Sequence, residues 1–105
     1  MNEFEISILK AIGKHYPNLL MTIDQLEVKK RELTGKGSYT DFFPIQAPVI
    51  SHVQILDLHG VIKIPNGIML SAHLEMNSGI PDFLEICCLT EDGWKGDYSG
   101  FSIEN

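Results

Sequence analysis

The sequence predicts an α+β fold, an N-terminal helix packed on a mostly antiparallel meander sheet of about five strands, within a single domain spanning residues 1–105. Three observations lead there. A capped amphipathic stretch opens the chain and stops at Pro17. Two alternating segments flank Pro65-Asn66-Gly67. A further alternating run, Phe83 to Thr90, precedes an Asp92-Gly93 turn signal.

The helix comes first. Asn2 is a good N-cap, and Glu5 stands three residues on, where a capping box needs its returning carboxylate. Phe4, Ile8, Ala11 and Ile12 share one helical face with Leu9 beside it. Gly13 weakens the helix and Pro17 bars its continuation, so it should end near His15 or Tyr16. A cationic His15 would suit that C-terminal end. Residues 18–26 read equally as a short helix or an extended connection. Residues 27–34 have too poor an apolar stripe for a helix and are assigned to a strand.

Thr34-Gly35-Lys36-Gly37-Ser38 invites comparison with a phosphate-binding loop. That loop needs four residues between its glycines and a helix opening at Lys-Ser. Here one residue separates the glycines and Tyr39 to Phe43 has strand character, so the segment is a glycine turn or bulge. Pro44, Pro48 and the Ser51-His52 region form a loop into the central hairpin.

That hairpin, Val53 to Met76, has a register that the sequence specifies. A two-residue Asn-Gly loop would set the apolar row of one strand against the polar row of the other. A three-residue loop closing on a left-handed Gly67 instead pairs Ile64 with Ile68, Ile62 with Leu70 and Leu58 with Leu74, with Gly60 facing Ala72. On the opposite face His59 then lies across from His73, and Asp57 across from Glu75. After a turn at 77–81, strand 83–90 turns Leu84, Ile86 and Cys88 inward and Phe83, Glu85, Cys87 and Leu89 outward. Trp94, Tyr98 and Phe101 seal one end of the sheet or form an aromatic contact surface, and 98–103 supplies a last short strand.

Composition narrows the function classes. The chain is 44% hydrophobic and 21% charged, an ordinary globular mix. No apolar run approaches the ~20 residues that cross a bilayer and no basic-then-apolar leader opens the chain, so a cytoplasmic protein without membrane association is expected. Cys87 and Cys88 are adjacent, a poor geometry for a disulfide and consistent with a reducing compartment. The net charge of −6 is uneven. Residues 1–40 hold six Lys/Arg against five Asp/Glu, whereas residues 41–105 hold two against nine, a balance of −7. Such a field disfavours nucleic acid and favours a basic protein partner, or serves solubility alone.

The run Arg31-Glu32-Leu33-Thr34-Gly35-Lys36-Gly37, with Phe83-Leu84-Glu85-Ile86 before Trp94, resembles short bacterial domains of uncharacterised function that carry Arg-Glu-x-Thr-Gly-x-Gly and a late Leu-Glu strand followed by Trp. The likeness spans roughly residues 27–95. It implies an α+β fold and a strand at 27–34, and no activity. Lys36 stands where that pattern has an apolar residue between the glycines.

Pairing Leu74 with Leu84 and Ala72 with Ile86 sets His73 beside Glu85. With the hairpin register this makes a row of His59, His73 and Glu85, a candidate metal set for a small divalent-metal hydrolase, although no cofactor is required by any motif. The bland alternative is a solvated polar face. Asp57, Glu75, Trp94 and Tyr98 are candidate partner-binding residues, the first two because like charges across a strand pair call for a cation or a basic partner. The leading expectation is a small acidic binding protein of immunity or accessory type, more a binder than an enzyme. The alternatives are that hydrolase and a module that self-associates through its edge strands.

Overall fold

The computed structural model describes residues 1–46 and 54–104. The expected loop at Pro48 and Ser51-His52, and the start of the hairpin at Val53, lie outside them. One helix, α1 (Glu3–Gly13), packs on an antiparallel sheet. Two short turns of helix follow, α2 (Pro17–Leu20) and a 3-10 turn at Ile23–Gln25, so the ambiguous stretch 18–26 is largely helical. The α+β class holds, but the sheet has seven strands rather than five. They are β1 (Val28–Leu33), β2 (Gly37–Phe42), β3 (Ile55–Asp57), β4 (Val61–Ile64), β5 (Ile68–Asn77), β6 (Ile80–Cys88) and β7 (Ser102–Glu104). In space they run β1-β2-β6-β5-β4-β7, with β3 also paired to β5.

The extra strand comes from one irregularity. The first arm of the hairpin breaks into β3 and β4, with the backbone bending at His59-Gly60. Near the turn the expected register is observed, Ile64 with Ile68 and Ile62 with Leu70, around a three-residue loop with Gly67 at φ +84°. Asn66 also has positive φ, +82°, which gives the corner a type II character. Beyond the bend, Leu56 rather than Leu58 pairs with Leu74, and the Leu58 amide donates to the Ala72 carbonyl at 3.0 Å. The slip is two residues, so it preserves which face each side chain takes. Leu56, Leu58, Ile62 and Ile64 all remain buried. Only the partners change: Asp57 faces His73, and Glu75 faces Ile55.

The second hairpin keeps the expected register, although its turn is shorter than the expected 77–81. Leu74 pairs with Leu84, Ala72 with Ile86 and His73 with Glu85. A two-residue Ser78-Gly79 turn, both with positive φ, closes it, and β6 begins earlier than 83. Inward side chains of β2, β4, β5 and β6 meet Phe4, Ile8, Leu9 and Ile12 of α1 in one core. Each such side chain contributes about 1.5–3 kcal/mol through burial. Cys88, expected inward, is only partly buried, with its thiol against Thr90.

The capping box forms as read: the Glu5 amide donates to Asn2 Oδ1 at 2.8 Å, and the Asn2 amide donates to Glu5 Oε1 at 3.0 Å. The same carboxylate reaches further. Arg31 of β1 donates to it through Nε and Nη2, each at 2.8 Å, and the Thr40 hydroxyl of β2 donates at 2.9 Å. The Glu5 side chain is 3% exposed against 48% for Arg31, so the anion is the buried member. Burial is the largest single influence on Glu5 and pushes its pKa up. Hydrogen bonds from Arg31, Asn2 and Thr40, with the charge of Arg31, outweigh it and leave the group below the ordinary glutamate range.

Arg31→Ala leaves a buried carboxylate without its cation and should cost about 3 kcal/mol of stability by urea unfolding, less than a fully buried pair because Arg31 itself is half in water. A lowered folded-state pKa means that the Glu5 contribution is complete above the unfolded value of about 4.3 and is lost as pH falls through the lower folded value. Glu5→Gln should therefore be less stable at neutral pH yet lose less stability on acidification. Equal acid sensitivity in both proteins would contradict this account.

Gly37 lies against the backbone of β6. A Cβ there would collide with the Ile86 carbonyl oxygen of β6, whereas Gly35, at φ +82°, opens to free space. Gly37→Ala should cost about 3 kcal/mol or more, and Gly35→Ala about 1 kcal/mol. Thermal melts of the two variants check the order.

Candidate functional site

The sheet has one face against α1 and one face turned away from it. On the outer face, register alone aligns Tyr39, Glu85, His73 and Asp57 across β2, β6, β5 and β3. Such neighbours are about 5 Å apart at Cβ, within reach of one another. Glu85 is the hub of the row. Its Oε1 lies 2.9 Å from His73 Nε2, its Oε2 accepts from the Cys87 thiol at 3.5 Å, and it also accepts from the Tyr39 phenol. Glu75 approaches the same His73 nitrogen at 3.5 Å. The Tyr39 ring leans on Phe83 with centroids 5.7 Å apart.

This chemistry is quiet rather than activated. Burial foremost, then the charge and hydrogen bond of Glu85, push the Cys87 thiol up, and a hydrogen bond with Ser71 offsets only part of that. A thiol kept protonated is a poor nucleophile and a poor metal ligand. Tyr39 is likewise raised, first by its hydrogen bond to Glu85 and then by the charge of that carboxylate. The network holds protons in place.

The metal set expected from the sequence is brought together only in part. His73 and Glu85 meet, but His59 sits at the bend between β3 and β4, its ring 4.5 Å from that of His15 beyond the end of α1. The two-residue slip explains this, since it gives His73 Asp57 as its neighbour in place of His59. Among the described residues no group of three or more His, Cys, Asp or Glu is placed to hold a metal ion. The expected clash of Asp57 with Glu75 is also relieved: His73 stands opposite Asp57 and beside Glu75. Of the expected partner-binding residues, Asp57 and Glu75 lie on the outer face. Trp94 is 4% exposed, its indole N–H donating to the Asp97 carbonyl at 2.7 Å, and Tyr98 stacks on Phe4 at 4.8 Å. Both aromatics therefore belong to the inner side.

There they border a feature that sequence reading missed. A cleft of about 420 Å³ opens between the N-terminus of α1, the inner face of β1, β2 and β6, and the loop carrying Trp94 to Tyr98. Glu5, Arg31 and Thr40 form part of its lining, with Ser38 beside them. The one available signal was parity. Arg31 pairs with Thr40 and Leu33 with Ser38, so alternation puts Arg31, Leu33, Ser38 and Thr40 on the helix side.

No family model matches the chain, and neither curated proteins nor solved structures give a match.

Glu85→Gln should release the restraint on Cys87. Its alkylation by iodoacetamide at mildly alkaline pH should become severalfold faster, with Cys88, held by Thr90, as internal reference. Site-resolved mass spectrometry distinguishes the two, and an unchanged Cys87 rate would remove Glu85 as the hub.

Proposed function

We propose that this protein is a small acidic binding protein that docks a basic partner protein on the outer face of its sheet, in the manner of an immunity-type or accessory factor. The observation that carries the reading is an imbalance of charge on that face. Glu32, Asp41, Asp57, Glu75, Glu85 and Glu104 share it with Lys30 and Lys63. Both lysines are already engaged, Lys30 with Asp41 at 3.9 Å and Lys63 with Glu104 at 3.0 Å. Around the remaining carboxylates lie Ile55 and Met69, which are exposed, and Tyr39 and Phe83, which are half buried. Apolar and aromatic side chains among acids that outnumber the bases make a surface suited to an Arg- and Lys-bearing partner.

The two alternatives draw less support. The hydrolase reading loses His59 from its ligand set. Self-association through edge strands meets an unfavourable edge: β1 carries Lys29, Lys30 and Arg31 with a register shift beside them, and β7 is three residues long.

The test uses the whole protein as bait in an extract of its native cells. Captured protein should be basic, and should be released as salt rises from about 50 to about 500 mM. Asp57→Lys with Glu75→Lys should abolish capture, while Glu91→Lys with Asp92→Lys, in the loop after β6, should retain it. Capture that survives the first pair, or that is lost equally with the second, would sink the assignment to this face.

A further inference from the structure

The cleft on the inner side is independent of the acidic face and has the makings of a small-molecule site. Its volume, about 420 Å³, falls in the range of ligand pockets, and its walls are largely apolar. Leu33, Ile86 and Trp94 contribute to those walls. Tyr98 borders it too, with Phe4 stacked on one face of its ring at an interplanar angle of 4°.

The polar groups reaching this space are mostly donors. Ser38 is only 9% exposed, yet its hydroxyl makes no hydrogen bond among the described residues, and it lines the cleft. The Ser38 hydroxyl is not sealed from solvent, so it is free to donate to an acceptor that enters the cleft. Arg31 spends Nε and Nη2 on Glu5 and keeps Nη1 unspent. Lys95 stands exposed on the rim. The acceptors, by contrast, are used up: each Glu5 oxygen already takes two hydrogen bonds, Oε1 from Asn2 and Arg31, Oε2 from Arg31 and Thr40. Glu32 also borders the cleft at the sheet edge, although its side chain alternates to the other face, where its charge acts on Tyr39. A ligand here must bring its own acceptors and its own apolar body.

We infer that the cleft binds a small aromatic carboxylic acid, its ring lying along Tyr98, Leu33 and Ile86 and its carboxylate accepting from Ser38 and the free edge of Arg31. A carboxylate suits the unspent guanidinium nitrogen, because planar acids take paired donors, and Lys95 adds a cation at the entrance. The flat aromatic lining selects a ring over an aliphatic chain.

The probes are benzoate, 1-naphthoate and indole-3-acetate, each beside its primary amide, with acetate as the ringless acid. Binding is followed by Trp94 fluorescence, the one tryptophan in the chain, and by amide chemical shifts. At least one aromatic acid should saturate below about 1 mM, with shifts centred on residues 31, 38 and 94–98, and its amide should bind about tenfold more weakly. Ser38→Ala, which keeps the cleft's shape, should weaken the acid about fivefold and leave the amide nearly unchanged. Lys95→Gln, at an exposed position, should weaken the acid severalfold and reduce its salt dependence. No saturable shift for any aromatic acid up to about 10 mM would overturn the inference. So would equal affinity for acid and amide, acetate binding as well as the aromatic acids, or shifts centred away from the cleft. Ser38→Ala binding the acid like the unaltered protein would overturn the assignment in the same way.

Discussion

A single buried carboxylate joins the parts of this fold. Glu5 accepts from the Asn2 amide, from two nitrogens of Arg31 and from the Thr40 hydroxyl, which fills its four acceptor positions. Those donors belong to the helix cap, to β1 and to β2. Burying a carboxylate is costly, and the cost is offset only when all of these partners are present together. The helix N-terminus is therefore fixed over the β1–β2 side of the sheet, while its apolar face packs over the middle. The cleft opens beside the first of these contacts and is bounded by the loop carrying Trp94 to Tyr98.

The outer face obeys a different constraint. With no described element packed across it, its side chains remain partly hydrated, and charge is tolerated there that the core would not accept. Glu75 and Glu85 are held close together because His73 stands between them and gives both a donor within reach. Asp57 at the end of the row forms no ion pair among the described residues. The result is a surface ordered by internal hydrogen bonds but short of positive charge. A basic partner of the kind proposed would gain that field without having to organise it.

Much of this was legible in the sequence because period and turn chemistry agreed. The Asn2–Glu5 cap and the three-residue Pro65-Asn66-Gly67 loop each had two local signals pointing the same way, and the His73–Glu85 pairing followed from matching apolar rows. What failed was inference across the bend at His59-Gly60. Alternation reports the face of a side chain, and a slip of two residues leaves every face intact while exchanging every partner. Hence Leu56 and Leu58 are buried as expected, although Asp57 and His59 lost their expected neighbours. Glu5 shows a second limit. A capping-box glutamate is ordinarily solvated, and no local pattern announces an arginine 26 residues away as its partner. The Thr-Gly-Lys-Gly segment shows a third: Gly37 answers to the close approach of the Ile86 carbonyl, a contact between strands far apart in sequence.

The two surfaces are separated by single residues along the same strands. Ser38 and Tyr39, and Ile86 beside Glu85 and Cys87, divide between the cleft and the outer row, while Glu32 at the sheet edge borders both sides. A pleated strand keeps such neighbours apart, with the sheet itself as the partition. Acid chemistry on one side and donor-rich chemistry on the other therefore coexist in a small domain without neutralising each other. Electrostatic leakage between them is limited by the prior engagement of Glu5 with Arg31. If Glu5 were free to accept from a ligand, the cleft would favour cations and the two faces would compete for the same partners. Its saturation by the fold is what makes the inner side distinct.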